Sequence, residues 1–175
     1  MNGAPRPPLR CAGPRRRLLL GLGAAALAGC GFELRRAPEL QFRTVALTGF
    51  APRSPLADEL RRSINTSRET RVVDVPSRAQ VVLHAITDTR ERSVVASTSA
   101  GQVRELQLRA RLEFSLHTPA GKELIPATEI RLSRDLSFSE TVALAKEQEE
   151  AFLYRSMQSD IVQQVMRRLA AVTAI

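Results

Sequence analysis

Between residues 105 and 117 the chain alternates polar and apolar positions without a break. Leu106, Leu108, Ala110, Leu112, Phe114 and Leu116 fall between Glu105, Gln107, Arg109, Arg111, Glu113, Ser115 and His117. A period of two sends the first set to one sheet face and the second to the other, so this strand has a dry face and a wet face. Thr118-Pro119-Ala120-Gly121-Lys122 predicts a turn. The return strand, over 123–138, sets Ile130, Leu132, Leu136 and Phe138 against Glu129, Arg131, Ser133 and Asp135. Pro126 has no amide proton for a ladder and predicts a bulge or a sheet edge. Upstream, 81–92 predicts a strand that is apolar on both faces at its start and polar from Asp88. The small residues Ser97-Thr98-Ser99-Ala100-Gly101 predict a hairpin tip.

After Ser139 the period becomes helical. Leu153, Met157, Ile161, Val165 and Leu169 lie four apart, supported by Val162 and Met166, and predict a helix over about 142–170. At 1.5 Å per residue it is roughly 40 Å long, enough to cross a sheet. A first strand is predicted over 43–48, and Ser54-Pro55 then starts a helix: serine caps free amides, and proline at the first position forfeits no hydrogen bond. Leu56, Leu60 and Ile64 form its apolar side. Asp58 and Glu59 come early and Arg61 and Arg62 late, in agreement with the helix dipole, and Asn65 is the stop. A short strand at 72–75 ends at Pro76. These elements predict an α+β two-layer sandwich, a mostly antiparallel four-stranded sheet with two helices packed on one face.

Composition narrows the function classes. The 175 residues hold 26 Lys plus Arg against 18 Asp plus Glu, a formal charge of +8. A hydrophobic content of 43% excludes a disordered tail, and two cysteines cannot build a disulfide scaffold. With no Trp and one Tyr the chain lacks the stacking platforms of single-strand nucleic-acid binders.

The position of the charge changes its meaning. Arg6, Arg10, Arg15, Arg16 and Arg17 precede an apolar run from Leu18 to Leu27, which is too short, and too interrupted by Gly21 and Gly23, to span a bilayer. Basic region, short apolar region and small residues form a bacterial secretory signal. Its end, Leu27-Ala28-Gly29-Cys30, resembles the lipobox of bacterial lipoproteins. There the cysteine thiol is diacylglycerated, the peptidase cuts before it, and the new amino terminus is acylated. The alternative is an ordinary secreted protein in which Cys30 is a spare thiol. The lipobox reading divides the chain into a signal peptide at 1–29, a lipidated start and tether at 30–41, and one domain at 42–175. Loss of the leader removes Cys11 and five cations, leaving 21 basic against 18 acidic residues, a net of +3. The nucleic-acid reading goes with them. Several acyl chains on Cys30 would hold the protein to a membrane, each methylene contributing about 0.8 kcal/mol. Gly31 is not the aspartate associated with inner-membrane retention, which implies the periplasmic face of an outer membrane. Arg15-Arg16-Arg17 leaves twin-arginine export open beside the ordinary route.

Catalytic motifs are missing. His84 and His117 stand alone in predicted strands, and there is no serine elbow, phosphate-cradling loop or HExxH pair. Glu147, Glu149 and Glu150 lie early in the long helix, where the dipole favours them. The wet sheet face, with Arg109, Arg111 and Arg131 among Glu105, Glu113 and Glu129, predicts solvated cross-strand pairs or a polar interface.

Cys30-Gly31-Phe32-Glu33-Leu34-Arg35, the Ser54-Pro55-Leu56 helix start and Ala143-Leu144-Ala145-Lys146, in this order, resemble the LptE family of lipopolysaccharide-assembly lipoproteins. The resemblance implies a non-enzymatic protein that needs no cofactor beyond the lipid on Cys30. It implies a plug inside an LptD-like β-barrel, assistance to that barrel's assembly, and binding and delivery of lipopolysaccharide. An auxiliary lipoprotein of another lipid-transport system is the alternative. In the family the ligand meets the lysine of the ALAK stretch, here Lys146, and a basic residue at a hairpin tip. The tip here, Ser97-Thr98-Ser99-Ala100, is uncharged, so Arg92 and Arg104 are the nearest candidates. A pairing of Lys146 with Glu150 at i+4 is the competing surface role.

Overall fold

In the computed structural model, residues 39–173 are described. Strand β4 (Val103–His117) is the spine: all six apolar residues of its alternating pattern are buried, none more than 5% exposed. It pairs antiparallel with β3 (Val81–Ser97) on one side and β5 (Glu123–Ser137) on the other. Beyond β3 lie β1 (Thr44–Thr48) and then β2 (Arg71–Val72), giving the order β2-β1-β3-β4-β5.

The expected four-stranded sheet is thus corrected to five strands in a mixed sheet, because β1 runs parallel to both of its neighbours. Helix α1 (Pro55–Asn65) carries the chain back before β2 begins, and that crossover makes the β1–β2 pair parallel. The short strand expected at 72–75 is present, but only over Arg71–Val72. The long ladders, β3–β4 and β4–β5, are antiparallel as expected.

Both helices cover the dry face. Leu56, Leu60 and Ile64 of α1 share one core with Met157, Ile161, Val165 and Leu169 of α2 (Ala143–Ala170) and with Leu83, Leu112 and Phe114 of the sheet. Each such side chain contributes about 1.5–3 kcal/mol when fully buried. Leu40 and Phe42 join the same core, so packing already begins inside the segment expected as a tether. Ala46, Ala79 and Val82 make a second, small cluster.

Local chemistry sets the element ends. Ser54 caps α1: its Oγ accepts from the Ala57 amide at 3.3 Å and donates to Asp88 Oδ2 at 2.7 Å. Asn65 closes the helix as expected, and its Oδ1 accepts from the Val72 amide at 2.9 Å. The two hairpin tips share one design. Thr98 and Thr118 each accept, through the hydroxyl, from the amide four residues on, and Gly101 and Gly121 take the positive φ the turn needs. Pro126 lies on the edge strand β5 beside a register shift between the Phe114–Thr128 and Leu116–Ile125 pairs, so bulge and edge occur together.

A second bulge sets the polarity of the helix side of the sheet. Ala85 pairs with Phe114 but Thr87 with Glu113, so Ile86 is an extra residue in β3. Before it, odd-numbered residues Val81, Leu83 and Ala85 enter the core; after it, even-numbered Asp88, Arg90 and Arg92 face the helices, opposite Leu112, Ala110 and Leu108. One inserted residue exchanges the faces of the rest of the strand. Ile86 itself is 48% exposed.

The loop after β1 gives a stability test. A Cβ on Gly49 would lie 2.1 Å from the Ala85 carbonyl oxygen and 2.9 Å from His84 Cε1, at φ +79°. Gly121 also has a positive φ, but open space around it. Gly121→Ala is expected to lower stability by about 1–2 kcal/mol, from backbone strain alone. Gly49→Ala is expected to cost clearly more, read as a larger drop in denaturation midpoint.

Candidate functional site

The three candidate cations lie towards one end of the sheet. Lys146, in the first turn of α2, donates from Nζ to Glu149 Oε2 at 2.8 Å and to Ser137 Oγ at 3.1 Å, and its side chain is only 18% exposed. Its carboxylate partner is therefore Glu149 at i+3, not the expected Glu150. Glu150 is taken by Arg92, whose guanidinium approaches it to 3.2 Å. Adjacent glutamates of one helical turn thus bind Lys146 and Arg92 separately. Arg104 is exposed and makes no side-chain ion pair among the described residues; its carbonyl accepts from the Phe138 amide, one residue after Ser137. The uncharged tip beyond is closed by Thr98 N donating to Gln102 O at 2.8 Å. Cys30 lies outside the described residues.

Next to these residues a cleft of about 750 Å³ lies between α1, α2 and β3. Its inner end is built on Gln158, a buried amide within the apolar stripe of α2. Gln158 Nε2 donates to the Pro55 carbonyl at 3.0 Å and to Glu59 Oε2 at 2.5 Å, and its Oε1 accepts from Arg90. Ser159 adds a bond to Glu59 Oε1 at 2.7 Å. One amide therefore ties both helices to β3. The Arg90 guanidinium sits 5.6 Å from the Tyr154 ring centre, and the Tyr154 hydroxyl donates to the Glu91 carbonyl at 2.7 Å. Burial, and then the charge of Glu150, raise the Tyr154 phenol above its ordinary value, so it remains a neutral donor at neutral pH.

The walls of this cleft carry both signs of charge. Arg62 and Arg155 are exposed and, among the described residues, make no side-chain ion pair; the same holds for Asp58 and Glu147. The outer sheet face differs. Arg111 contacts Glu113 at 3.1 Å and Glu129 at 2.9 Å, Arg131 contacts Glu129 at 2.6 Å, and Gln107 links Arg109 to Asp135. The cross-strand pairing expected for this face is present.

Sequence reasoning named Lys146, Arg92 and Arg104 as candidates and did not anticipate the cleft. Its one legible signal was Gln158, a polar residue inside an apolar helical stripe. The histidines are engaged locally, His84 with the Thr48 hydroxyl at 3.1 Å and His117 with the Thr118 carbonyl at 3.0 Å. Among the described residues no group of three or more metal-ligating side chains forms. None of their helices is long and apolar enough to cross a membrane.

Comparison with known proteins adds what geometry alone does not carry. The family model described as LptE, lipopolysaccharide-assembly, matches residues 42–169. An LPS-assembly lipoprotein LptE of Yersinia enterocolitica is 32% identical over 162 residues, which span 90% of this chain and 76% of that protein. One from Pectobacterium atrosepticum is 27% identical over 158 residues, 89% of this chain and 84% of its own. Among solved structures, the uncharacterized lipoprotein B of Nitrosomonas europaea superimposes with a TM-score of 0.69 at 34% identity, over 81% of this chain and 91% of that one. The rare lipoprotein B of Shewanella oneidensis does so with 0.61 at 26% identity, over 73% and 94%.

The Gln158 junction is testable. Gln158→Ala leaves Arg90 and Glu59 without their shared partner and is expected to cost about 1–3 kcal/mol. Thermal melting checks the loss. Gln148→Ala, at an exposed position of the same helix, serves as the comparison and is expected to change stability by less.

Proposed function

Because the chain belongs to the LptE lipopolysaccharide-assembly family, we propose that it is anchored by lipid on Cys30 to the periplasmic side of the outer membrane. There it plugs an LptD-like β-barrel, assists that barrel's assembly and helps deliver lipopolysaccharide to the outer leaflet. The family is a non-enzymatic one of cell-envelope lipoproteins. The carrying observation is the family match over 42–169, the whole of the sheet and nearly all of both helices. The surface supports the reading. Large outer-membrane barrels have polar interiors and can hold a plug, and the described domain presents exposed charged side chains of both signs.

The same reading assigns lipopolysaccharide contact to Lys146, Arg92 and Arg104. Lipid A phosphates are anionic, and lysine meets them as a point charge on a flexible stem. A phosphate reaching Lys146 competes with Glu149, and one reaching Arg92 competes with Glu150. Arg104 is the cation open to it without such competition.

Two experiments test this. Detergent co-purification of the full lipidated protein, read by mass spectrometry, is expected to recover one large outer-membrane barrel at one-to-one stoichiometry. Recovery of inner-membrane transporter subunits alone would instead support an auxiliary lipoprotein of another lipid-transport system. Lys146→Glu is expected to lower lipopolysaccharide binding with an unchanged circular dichroism spectrum. Unaltered binding removes Lys146 from the contact.

A further inference from the structure

The cleft between the helices is a concave place on the described surface where charges of both signs stand close together without ion-pair partners. Arg62 and Asp58 on the α1 wall, and Arg155 and Glu147 on the α2 wall, are exposed and form no side-chain ion pairs among the described residues. On the outer sheet face Arg111 and Arg131 are already held by Glu113 and Glu129, and Arg109 by Gln107. A partner there would have to break existing pairs, whereas a partner in the cleft makes new ones. Charge complementarity of this kind directs association and register.

The cleft also has a direction. Its inner end is the Gln158 junction, closed by bonds to Pro55 and Glu59. Its floor continues along the helix side of β3 through Arg90 and Arg92 to Val94, which is 55% exposed. Its α2 wall continues from Ala151 through Glu147 to Leu144, three residues earlier on the same helical stripe and 73% exposed. A charged channel with a small residue, Ala151, in its wall therefore opens onto two exposed apolar side chains. Both are available to an apolar side chain of a docked segment.

We infer that this groove receives an extended polypeptide segment of the barrel partner, carrying both acidic and basic residues along its length and an apolar residue at the end that meets Val94 and Leu144. The inference rests on the barrel reading and identifies the part of the domain that meets it. A purely anionic ligand is disfavoured in the groove, because Asp58, Glu59, Glu147 and Glu150 offset its four arginines. A segment of mixed charge has no such penalty. Arg90, held against Tyr154 and Gln158, is a pre-positioned donor at the floor and loses little freedom on docking.

Photocrosslinking in the full lipidated protein, co-expressed with its barrel, tests the proposal. A photoreactive p-benzoylphenylalanine replaces Ala151 in one variant and Ser133, on the outer sheet face, in another. Crosslinking of Ala151 to the barrel polypeptide, at higher yield than Ser133, is the expected result. A double charge reversal, Arg62→Glu with Arg155→Glu, is expected to reduce complex recovery about tenfold in moderate salt, while the circular dichroism spectrum is retained. If the one-to-one complex forms but Ala151 stays silent, crosslinks only to lipopolysaccharide, or tolerates the double reversal next to it, the groove assignment is overturned while the barrel reading stands. If no barrel is recovered with the unsubstituted protein, the barrel reading falls first and the groove assignment with it.

Discussion

The extra residue at Ile86 is the feature on which the helix side of this molecule turns. Were Ile86 paired in register instead of bulged, β3 would continue to present its odd-numbered residues to the helices, and Thr87, Thr89 and Glu91 would lie where Asp88, Arg90 and Arg92 now stand. The bulge lets one strand do two jobs. Its first half supplies Val81, Leu83 and Ala85 to the core, and its second half supplies a polar floor beneath the helices. Asp88 then receives the Ser54 cap of α1, Arg90 reaches Gln158 and Tyr154, and Arg92 reaches Glu150. Each of these contacts requires the exchange of faces, since side chains on opposite faces of a strand cannot meet the same layer.

The two faces of the sheet handle charge differently, and the difference has functional meaning. On the outer face, neighbouring strands place arginine beside glutamate, and exposed pairs of this kind contribute at most about 1 kcal/mol each. They make a wettable, self-contained surface. On the helix side the apolar stripe of α2 ends near Leu153, and the preceding turns line the cleft with polar residues. The core therefore stops where the cleft starts. The Gln158 amide marks the boundary, satisfying buried polar groups that the apolar layer could not.

The candidate lipopolysaccharide cations show the same economy of local pairing. Lys146 and Arg92 are both held by carboxylates of a single helical turn, which keeps them oriented and makes any phosphate a competitor. With Ala143 as its first residue, α2 has no acid in its first turn, so Glu149 and Glu150 act as counter-ions for neighbouring bases and gain little from the helix dipole.

Much of the fold was legible because it follows from periods. The alternation through Leu106–Leu116, the four-residue spacing from Leu153 to Leu169, the Ser54-Pro55 start and the Asn65 stop are local properties, and each appears where the pattern puts it. The cationic candidates were legible as residue types at positions along the chain. The short strand before Pro76 was legible but its bounds at 72–75 were too late and too long, because a two-residue β2 carries no period; the parallel pairing of β1 was not legible, because it depends on where α1 returns the chain. The cleft was not legible at all: its residues come from three separate segments, 55–62, 90–92 and 147–159, and meet only after a bulge changes the face of the middle one. Spacing along the chain was enough to say which residues seek the core and where elements begin and end, since those depend on neighbours within a few residues. Which charges pair and which stay open was settled by the assembled fold, because that depends on distances between strands and helices that no local period encodes.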